Sequence, residues 1–457
     1  MDMNTALLIF LGIIELALAC LTISRKVNKK EWQLGRVLAS AGELILFLAM
    51  ILLPGIDLGL RFKMLFIVLI LRIVLAGIGW LLFCKNEKPK KIAAIVFSAL
   101  LSIIVLSVSL VPSYVFADYK GLPTSGEYQV EMAKAILVDE SRIETFENDG
   151  SYREMPIYIY YPIGAMDKHL PVVFFSHGAF GYYQSNTSTY DELASHGYVV
   201  VSIEHPYHSM FTKDTEGKTI IVDSTMLNNS MRIQDLNDEN ITEEEVFSIT
   251  KEWIDLRLAD ANFVIDSIKD ATKSNALSKA WSVGDKDAEQ ILKILPLMDC
   301  EHMGFMGHSL GGATAVSLGR MRDDLDAVID LDGTMIGEIL YVKDGADVVN
   351  EDTYPIPMFS MDNQEHHDSR IAAMENGEVY CNNVVHDNAP IGYNTYIKNS
   401  GHMNFTDLPM FSPFLAKMLG IGEVDPVECM QTVNELVLEF FDAYLKDMGD
   451  FKVQEGY

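Results

Sequence analysis

The chain has 457 residues, 49% of them apolar and 22% charged, with a formal net charge of −29. That length exceeds one simple domain and suggests two or three units. So acidic a balance excludes a nucleic-acid-binding role, which needs a basic footprint, and disfavours strongly anionic substrates and surfaces.

Mean hydropathy is nonetheless positive, so an oily segment offsets the charge. Residues 1–117 carry 12 Lys/Arg and 6 Asp/Glu, whereas 118–457 carry 23 and 58. The two parts belong to different environments. The five cysteines, Cys20, Cys84, Cys300, Cys381 and Cys429, have no metal-ligand spacing and imply no complete disulfide framework. None has the context of a nucleophile, and no cofactor or metal is expected.

Four apolar runs, at 5–23, 37–56, 64–83 and 92–116, open the chain. Each has the roughly 20 residues that a helix needs to cross a hydrocarbon core. The first loop holds Arg25, Lys26, Lys29, Lys30 and Arg36, and the third Lys85, Lys88, Lys90 and Lys91. The second has only Arg61 and Lys63. Basic loops stay cytoplasmic. The expected protein is therefore a multi-pass cell-membrane protein, with its N-terminus and everything after residue 117 on the extracytoplasmic side. A cleaved signal peptide would want a basic start, but the chain begins Met1-Asp2-Met3-Asn4. Glu15, Glu43 and Arg72 fall inside the runs, and a Glu–Arg pair that holds the bundle accounts for them.

The acidic part, 118–457, alternates strands and helices. Residues 152–161 alternate like a strand. Residues 171–176 (PVVFFS) and 198–203 (YVVVSI) are continuous apolar runs, as in strands buried on both faces, with a helix at 190–196 between them. Stretches 302–306, 327–332, 357–361 and 393–397 follow the same style. Residues 426–448 show a helical period. The pattern predicts a mostly parallel sheet with helices on both faces. Residues 213–297 break the rhythm and read as a lid-like insertion, part of which must still cover the sheet; a helix is expected at 244–269.

Gly307-His308-Ser309-Leu310-Gly311-Gly312 fits G-x-S-x-G. A serine nucleophile needs a tight strand-to-helix turn, and glycines two before and two after allow it. The strand at 303–306 and the helix at 313–320 supply the context. The fold this implies is the α/β-hydrolase fold, preceded by an all-α bundle of four transmembrane helices. Serine needs a histidine base, and the base needs an acid. In this fold the order is Ser, acid, His. Of His366, His367, His386 and His402, only His402 lies after the last short strand and before the terminal helix. The adjacent pair His366-His367 could suggest a metal, but without an obvious third ligand it reads as surface loop. Asp330, Asp332 and Asp362 all sit at strand ends, and position alone does not separate them as the acid. One oxyanion donor is the N–H of Leu310; Ala179, in the loop Phe175–Gly181, is the choice for the other. His177 reads as a structural hydrogen-bonder.

Several blocks in order extend this reading: Phe174-Phe175-Ser176-His177-Gly178, Leu193–Tyr198 (LASHGY), Glu204-His205, Gly307–Thr314 (GHSLGGAT), Leu331-Asp332-Gly333 and Ser400–Phe405 (SGHMNF). Together they resemble the platelet-activating factor acetylhydrolase family, the secreted and intracellular type II group, over about 170–410. The resemblance implies Asp332 as the acid and Ala179 as the oxyanion residue. It also implies cleavage of short or oxidised sn-2 acyl chains from phospholipids without calcium. The four N-terminal spans, Pro206-Tyr207-His208 and Leu310 depart from the family pattern. The expected activity is that of a membrane-anchored serine ester hydrolase acting on a small-molecule or lipid ester. The alternatives are an acyltransferase on the same triad and an inactive membrane sensor or assembly protein.

Overall fold

A computed structural model describes residues 3–52, 56, 58–165, 169–234 and 241–457. The chain divides into two compact units: Met1–Lys120 with Pro409–Met418, and Gly121–Leu408 with Leu419–Tyr457.

The first unit contains α1 (Met3–Ser24), α2 (Lys29–Met50), α3 (Leu60–Phe83) and α4 (Ile92–Ser109). All four are long and apolar enough to cross a membrane. They bury only a narrow seam, including Leu11, Phe47, Phe62, Leu65 and Leu106. Large apolar side chains such as Ile13, Ile45, Leu75 and Phe97 face outward, where a helix of a water-soluble bundle would be polar.

Helix α2 begins eight residues before the apolar run that predicts it. Asn28 caps it: its side chain accepts from Glu31 N, and Glu31 accepts from Asn28 N. That capping box starts the helix early, so Arg36 sits inside a helix and not in the first loop. Its Nη1 donates to both Glu15 oxygens, at 2.7 and 2.6 Å. Arg72 donates to Glu15 and, through Nε at 3.1 Å, to Glu43. The expected Glu–Arg pair is thus a balanced cluster of two carboxylates and two guanidiniums. The end of the second run, at 53–55, lies outside the described residues. The fourth run breaks: α4 stops at Ser109, and α5 (Val111–Val115) carries Pro112 in its first turn, where a missing N–H costs nothing. Ser412 Oγ donates to the Val115 carbonyl at 2.7 Å, and the Phe116 and Phe411 rings lie 5.0 Å apart.

The second unit runs β1 (Val130–Ile143), β2 (Tyr152–Pro162), β3 (Leu170–Ser176), α6 (Thr187–Ser195), β4 (Val199–Ile203), a hairpin of β5 (Phe211–Lys213) and β6 (Thr219–Ile221), then α7 (Ser224–Gln234) and α8 (Glu243–Ser274). It continues with β7 (Trp281–Ser282), α9 (Asp285–Ile294), β8 (Met298–His308), α10 (Leu310–Met321), β9 (Ala327–Leu331), and a hairpin of β10 (Ile339–Lys343) and β11 (Ala346–Val349). Next come β12 (Met358–Asp362), α11 (Gln364–Asn376), α12 (Cys381–Asp387) and β13 (Gly392–Tyr396). α13 (Leu408–Phe411) and α14 (Pro413–Leu419) lie largely in the Pro409–Met418 segment of the first unit, and α15 (Pro426–Leu445) closes the second.

Among the described residues one nine-stranded sheet has the order β13-β12-β9-β8-β3-β4-β2-β1-β7. From β13 to β4 all neighbours are parallel, and β2, β1 and β7 join antiparallel. Every residue of β3, β4, β9 and β12 is buried, as expected of strands covered on both faces. Strand β1, near the edge, alternates instead. This is the α/β-hydrolase fold.

The stretch 213–297 is only in part an addition. Trp281 of β7 pairs with Leu137 of β1, and α8 buries Ala261, Val264, Ile265 and Ile268 in the main core. Each fully buried branched aliphatic stabilises by about 1.5–3 kcal/mol, so α8 is an integral cover of the sheet. Positions 235–240 lie outside the described residues.

Candidate active site

Strand β8 runs to His308 and α10 starts at Leu310, so Ser309 alone turns the chain. Its φ is 55°, in the left-handed region where a non-glycine residue is strained. The flanking glycines are required by contact. A Cβ on Gly307 would stand 2.2 Å from the Gly311 carbonyl carbon, and one on Gly311 1.9 Å from the Ser176 oxygen. Ser309 N donates to the Leu331 carbonyl at 2.9 Å, tying the turn to the end of β9. A Cβ on Gly178 would lie 3.2 Å from Ser309 Cβ, which puts the loop after β3 beside the serine.

The three aspartates that sequence position leaves level have different partners. Asp362 pairs with Arg370 at 2.6 Å and accepts from Asn394. Asp330 accepts from Gly333 N and is otherwise enclosed; a Cβ on Gly312 would stand 1.8 Å from its Oδ1. Burial pushes the Asp330 carboxyl well up, reinforced by the charges of Asp362 and Asp332. Asp332 alone reaches the candidate base: His402 Nδ1 lies 2.6 Å from its Oδ2. It also accepts from Asn363 N and Nδ2, both at 2.7 Å, and from His366 Nδ1 at 2.9 Å. Burial alone would raise this carboxyl. The hydrogen bonds from His366 and His402 outweigh it and hold Asp332 well below the usual carboxylate range.

His366 corrects the expectation from the sequence. It is not on a surface loop but in the first turn of α11, whose N-cap, Asn363, accepts from His366 N. Asn363, the cap that starts the helix, and the His366 ring both meet the Asp332 carboxylate. Its neighbour His367 stacks on Tyr396 instead, with centroids 3.7 Å apart. A further unanticipated contact comes from His308, which donates from Nε2 to the His402 carbonyl at 3.1 Å. Burial, helped by the nearby His402, lowers the His308 pKa to about 3, so the ring stays neutral and anchors the His402 backbone.

The loop after β3 is a tight turn. Gly181 N donates to Gly178 O, and Phe180, at φ 61°, donates to His208 O. Ala179 at its apex packs in one apolar cluster with Leu310, Ala313, Met226 and Ile254. Leu310 is the first residue of α10, and its N–H has no turn behind it to claim it.

Behind this loop lies a polar network that is buried except for the partly exposed Arg142. Arg257 of α8 donates to the His177 carbonyl, to Ser176 Oγ at 3.2 Å and to the Gly178 carbonyl at 3.3 Å. Burial lowers its pKa to about 9, which leaves it charged at neutral pH. One turn on, Asp260 accepts from Arg153 at 2.7 Å, Arg142 at 2.9 Å and His205 Nδ1 at 3.0 Å. His205 Nε2 in turn lies 3.0 Å from Ser176 Oγ. The sequence carries a signal for this network: Arg257 and Asp260 fall on the face of α8 that also holds Ile254, Ala261 and Val264, and charge on an apolar face needs a buried partner.

The parallel sheet and the strained serine between β8 and α10, followed in chain order by an Asp–His pair, give the larger unit the arrangement of the α/β-hydrolase fold. The chain matches the family model for platelet-activating factor acetylhydrolase, isoform II, over residues 127–456, and it belongs to that family. It is 23% identical over 293 residues to the platelet-activating factor acetylhydrolase of Bos taurus, covering 62% of this chain and 58% of that protein. It is also similar to a solved ferulic acid esterase from Streptomyces cinnamoneus, with 17% identity and a TM-score of 0.49 over 73% of this chain and 96% of that one.

Proposed function

We propose that the protein is a serine ester hydrolase that takes short acyl groups from small-molecule or lipid esters, including sn-2 positions of phospholipids. The observation that carries this reading is the 2.6 Å contact between His402 Nδ1 and Asp332, in a fold whose preceding strand ends on a strained serine. The Asp332 carboxylate sets the tautomer, leaving His402 Nε2 as acceptor for the Ser309 proton. Ser309 Oγ attacks the ester carbonyl, and the N–H groups of Ala179 and Leu310 receive the developing oxyanion. The protonated His402 then passes its proton to the leaving alcohol. Water, deprotonated by the same ring, releases the acid from Ser309. Membership of the acetylhydrolase family supports a short acyl group. The four long apolar helices support a multi-pass membrane anchor at residues 1–117, and the basic residues of the first and third loops support an extracytoplasmic hydrolase domain at 118–457.

The test is hydrolysis of p-nitrophenyl acetate, butyrate and palmitate by the full chain in detergent micelles, beside Ser309→Ala. Turnover of acetate and butyrate over palmitate, lost in Ser309→Ala, is expected. Turnover that survives Ser309→Ala contradicts the assignment, and a preference for palmitate contradicts the short acyl group.

A further inference from the structure

We propose that Asp332, His366 and His402 form a site for a zinc-class divalent cation that switches the hydrolase off. The binding claim stands on geometry; the inhibitory claim rests on the role proposed for His402.

Read as sequence, His366-His367 lacks a third ligand. In the folded chain the missing partners are Asp332 and His402. The ligand atoms of Asp332, His366 and His402 all lie within 4.8 Å of one another. The two imidazoles present the same atom, Nδ1, to the two oxygens of one carboxylate: His366 to Oδ1 at 2.9 Å and His402 to Oδ2 at 2.6 Å. A carboxylate offers four lone-pair positions. Asn363 N occupies one on Oδ1 and Asn363 Nδ2 one on Oδ2. The two histidines hold the others, and these are the positions a cation would take over. Asn363 would remain as the supporting hydrogen-bond donor that metal-ligating carboxylates usually have.

The donor set selects the metal. Two imidazole nitrogens and one carboxylate oxygen suit zinc and its first-row neighbours, whereas magnesium and calcium prefer oxygen alone. Three protein ligands with a fourth position open to water is a common zinc arrangement. Entry is available, since the side chains of His366 and His402 are 28% and 34% exposed while Asp332 is buried.

Binding takes the Nδ1 lone pair of each ring. The Nδ1 proton leaves to solvent, a ring with no hydrogen on Nε2 takes one up there, and the freed Nδ1 lone pair binds the cation. His402 Nε2 then carries a hydrogen and cannot accept the Ser309 proton, and Asp332 is tied to the metal. Hydrolysis stops until the cation is removed.

Zinc chloride binding is measured by titration calorimetry on the full chain in micelles, in the Ser309→Ala background, with and without His366→Gln. Glutamine keeps an N–H for Asp332 but supplies no imidazole. The expected result is one zinc site per chain, silent to magnesium chloride and weakened at least roughly tenfold by His366→Gln. His402→Gln is expected to weaken it similarly, and it decides the matter if His366→Gln does not fold. In the active chain, zinc is expected to inhibit ester hydrolysis reversibly on chelation, with roughly tenfold more needed for His366→Gln, each compared with its own zinc-free rate. Equal zinc affinity with and without His366, or only weak binding that neither histidine affects, overturns the site. A chain that hydrolyses no ester yet binds zinc through both histidines retains the site and loses the hydrolase reading.

Discussion

Two buried aspartates in the larger unit each accept from a histidine Nδ1, and their surroundings are opposite. Asp332 holds His402, whose side chain is 34% exposed. Asp260 holds His205, which is fully enclosed and whose Nε2 lies 3.0 Å from Ser176 Oγ. The second set has an Asp–His–Ser order of contacts, yet Ser176 is a regular residue of β3 with no exposure, while Ser309 sits at φ 55° on a turn. Burial, with Arg257 alongside, depresses the His205 pKa to about 4, so that ring stays neutral. Contact geometry alone therefore does not make a reactive serine. Access and a strained turn distinguish the set that can meet substrate from the set that braces the loop beside it.

The comparison breaks most visibly at the two carboxylates. Asp332→Asn is expected to lower kcat by roughly 10⁴-fold, because the amide no longer holds the base in the working tautomer. The fold should survive, since its stabilising partners are hydrogen bonds that an amide can partly replace. Ester turnover beside thermal unfolding checks both; a loss below tenfold removes Asp332 from the mechanism. Asp260→Asn should do the reverse. It leaves Arg153 and Arg142 short of a buried counter-charge, which costs about 3 kcal/mol or more of stability. In the folded fraction kcat should fall by at most roughly tenfold, equivalent to 1.4 kcal/mol of barrier. A normal melting temperature with a collapsed kcat would exchange the two roles.

A smaller effect tests what a buried carboxyl does without a cation. Glu204 accepts from Thr212 and from Tyr183 N and faces Tyr158 and Tyr183. Burial outweighs those bonds and pushes its pKa up to about 7 from the ordinary 4.5. The folded chain then keeps a proton that the unfolded chain has already released. Glu204 contributes its full stability below pH 4.5, and that contribution is lost as pH rises to about 7. Glu204→Gln is expected to flatten this part of the stability–pH curve and to stabilise the protein at pH 8 by up to about 3 kcal/mol. Asp407, which burial also raises to about 7, leaves a residual slope of the same sign. Identical slopes in both proteins would contradict the burial of a protonated Glu204.

What can be read from the residues follows how local each constraint is. The turn at Ser309 is legible because Gly307 and Gly311 answer to contacts within the turn and with the adjacent Ser176. The buried strands are legible because strands such as β3 and β4 have no polar face to hide. Asp330, Asp332 and Asp362 are level in the sequence because each ends a strand; only their partners, Gly333, His402 and Arg370, separate them. His366 escapes because its role depends on a helix that Asn363 starts two residues beyond a strand. Arg36 escapes for a similar reason, since the capping box at Asn28 converts a stretch that looks like basic loop into helix.

The most direct measurement is reaction of the full chain in micelles with a fluorophosphonate probe, followed by peptide mapping. A single adduct on Ser309, with none on Ser176 and none in Ser309→Ala, is the expected result. An adduct on Ser176, or no adduct on a chain shown to be folded, would contradict the assignment of Ser309 as the reactive serine.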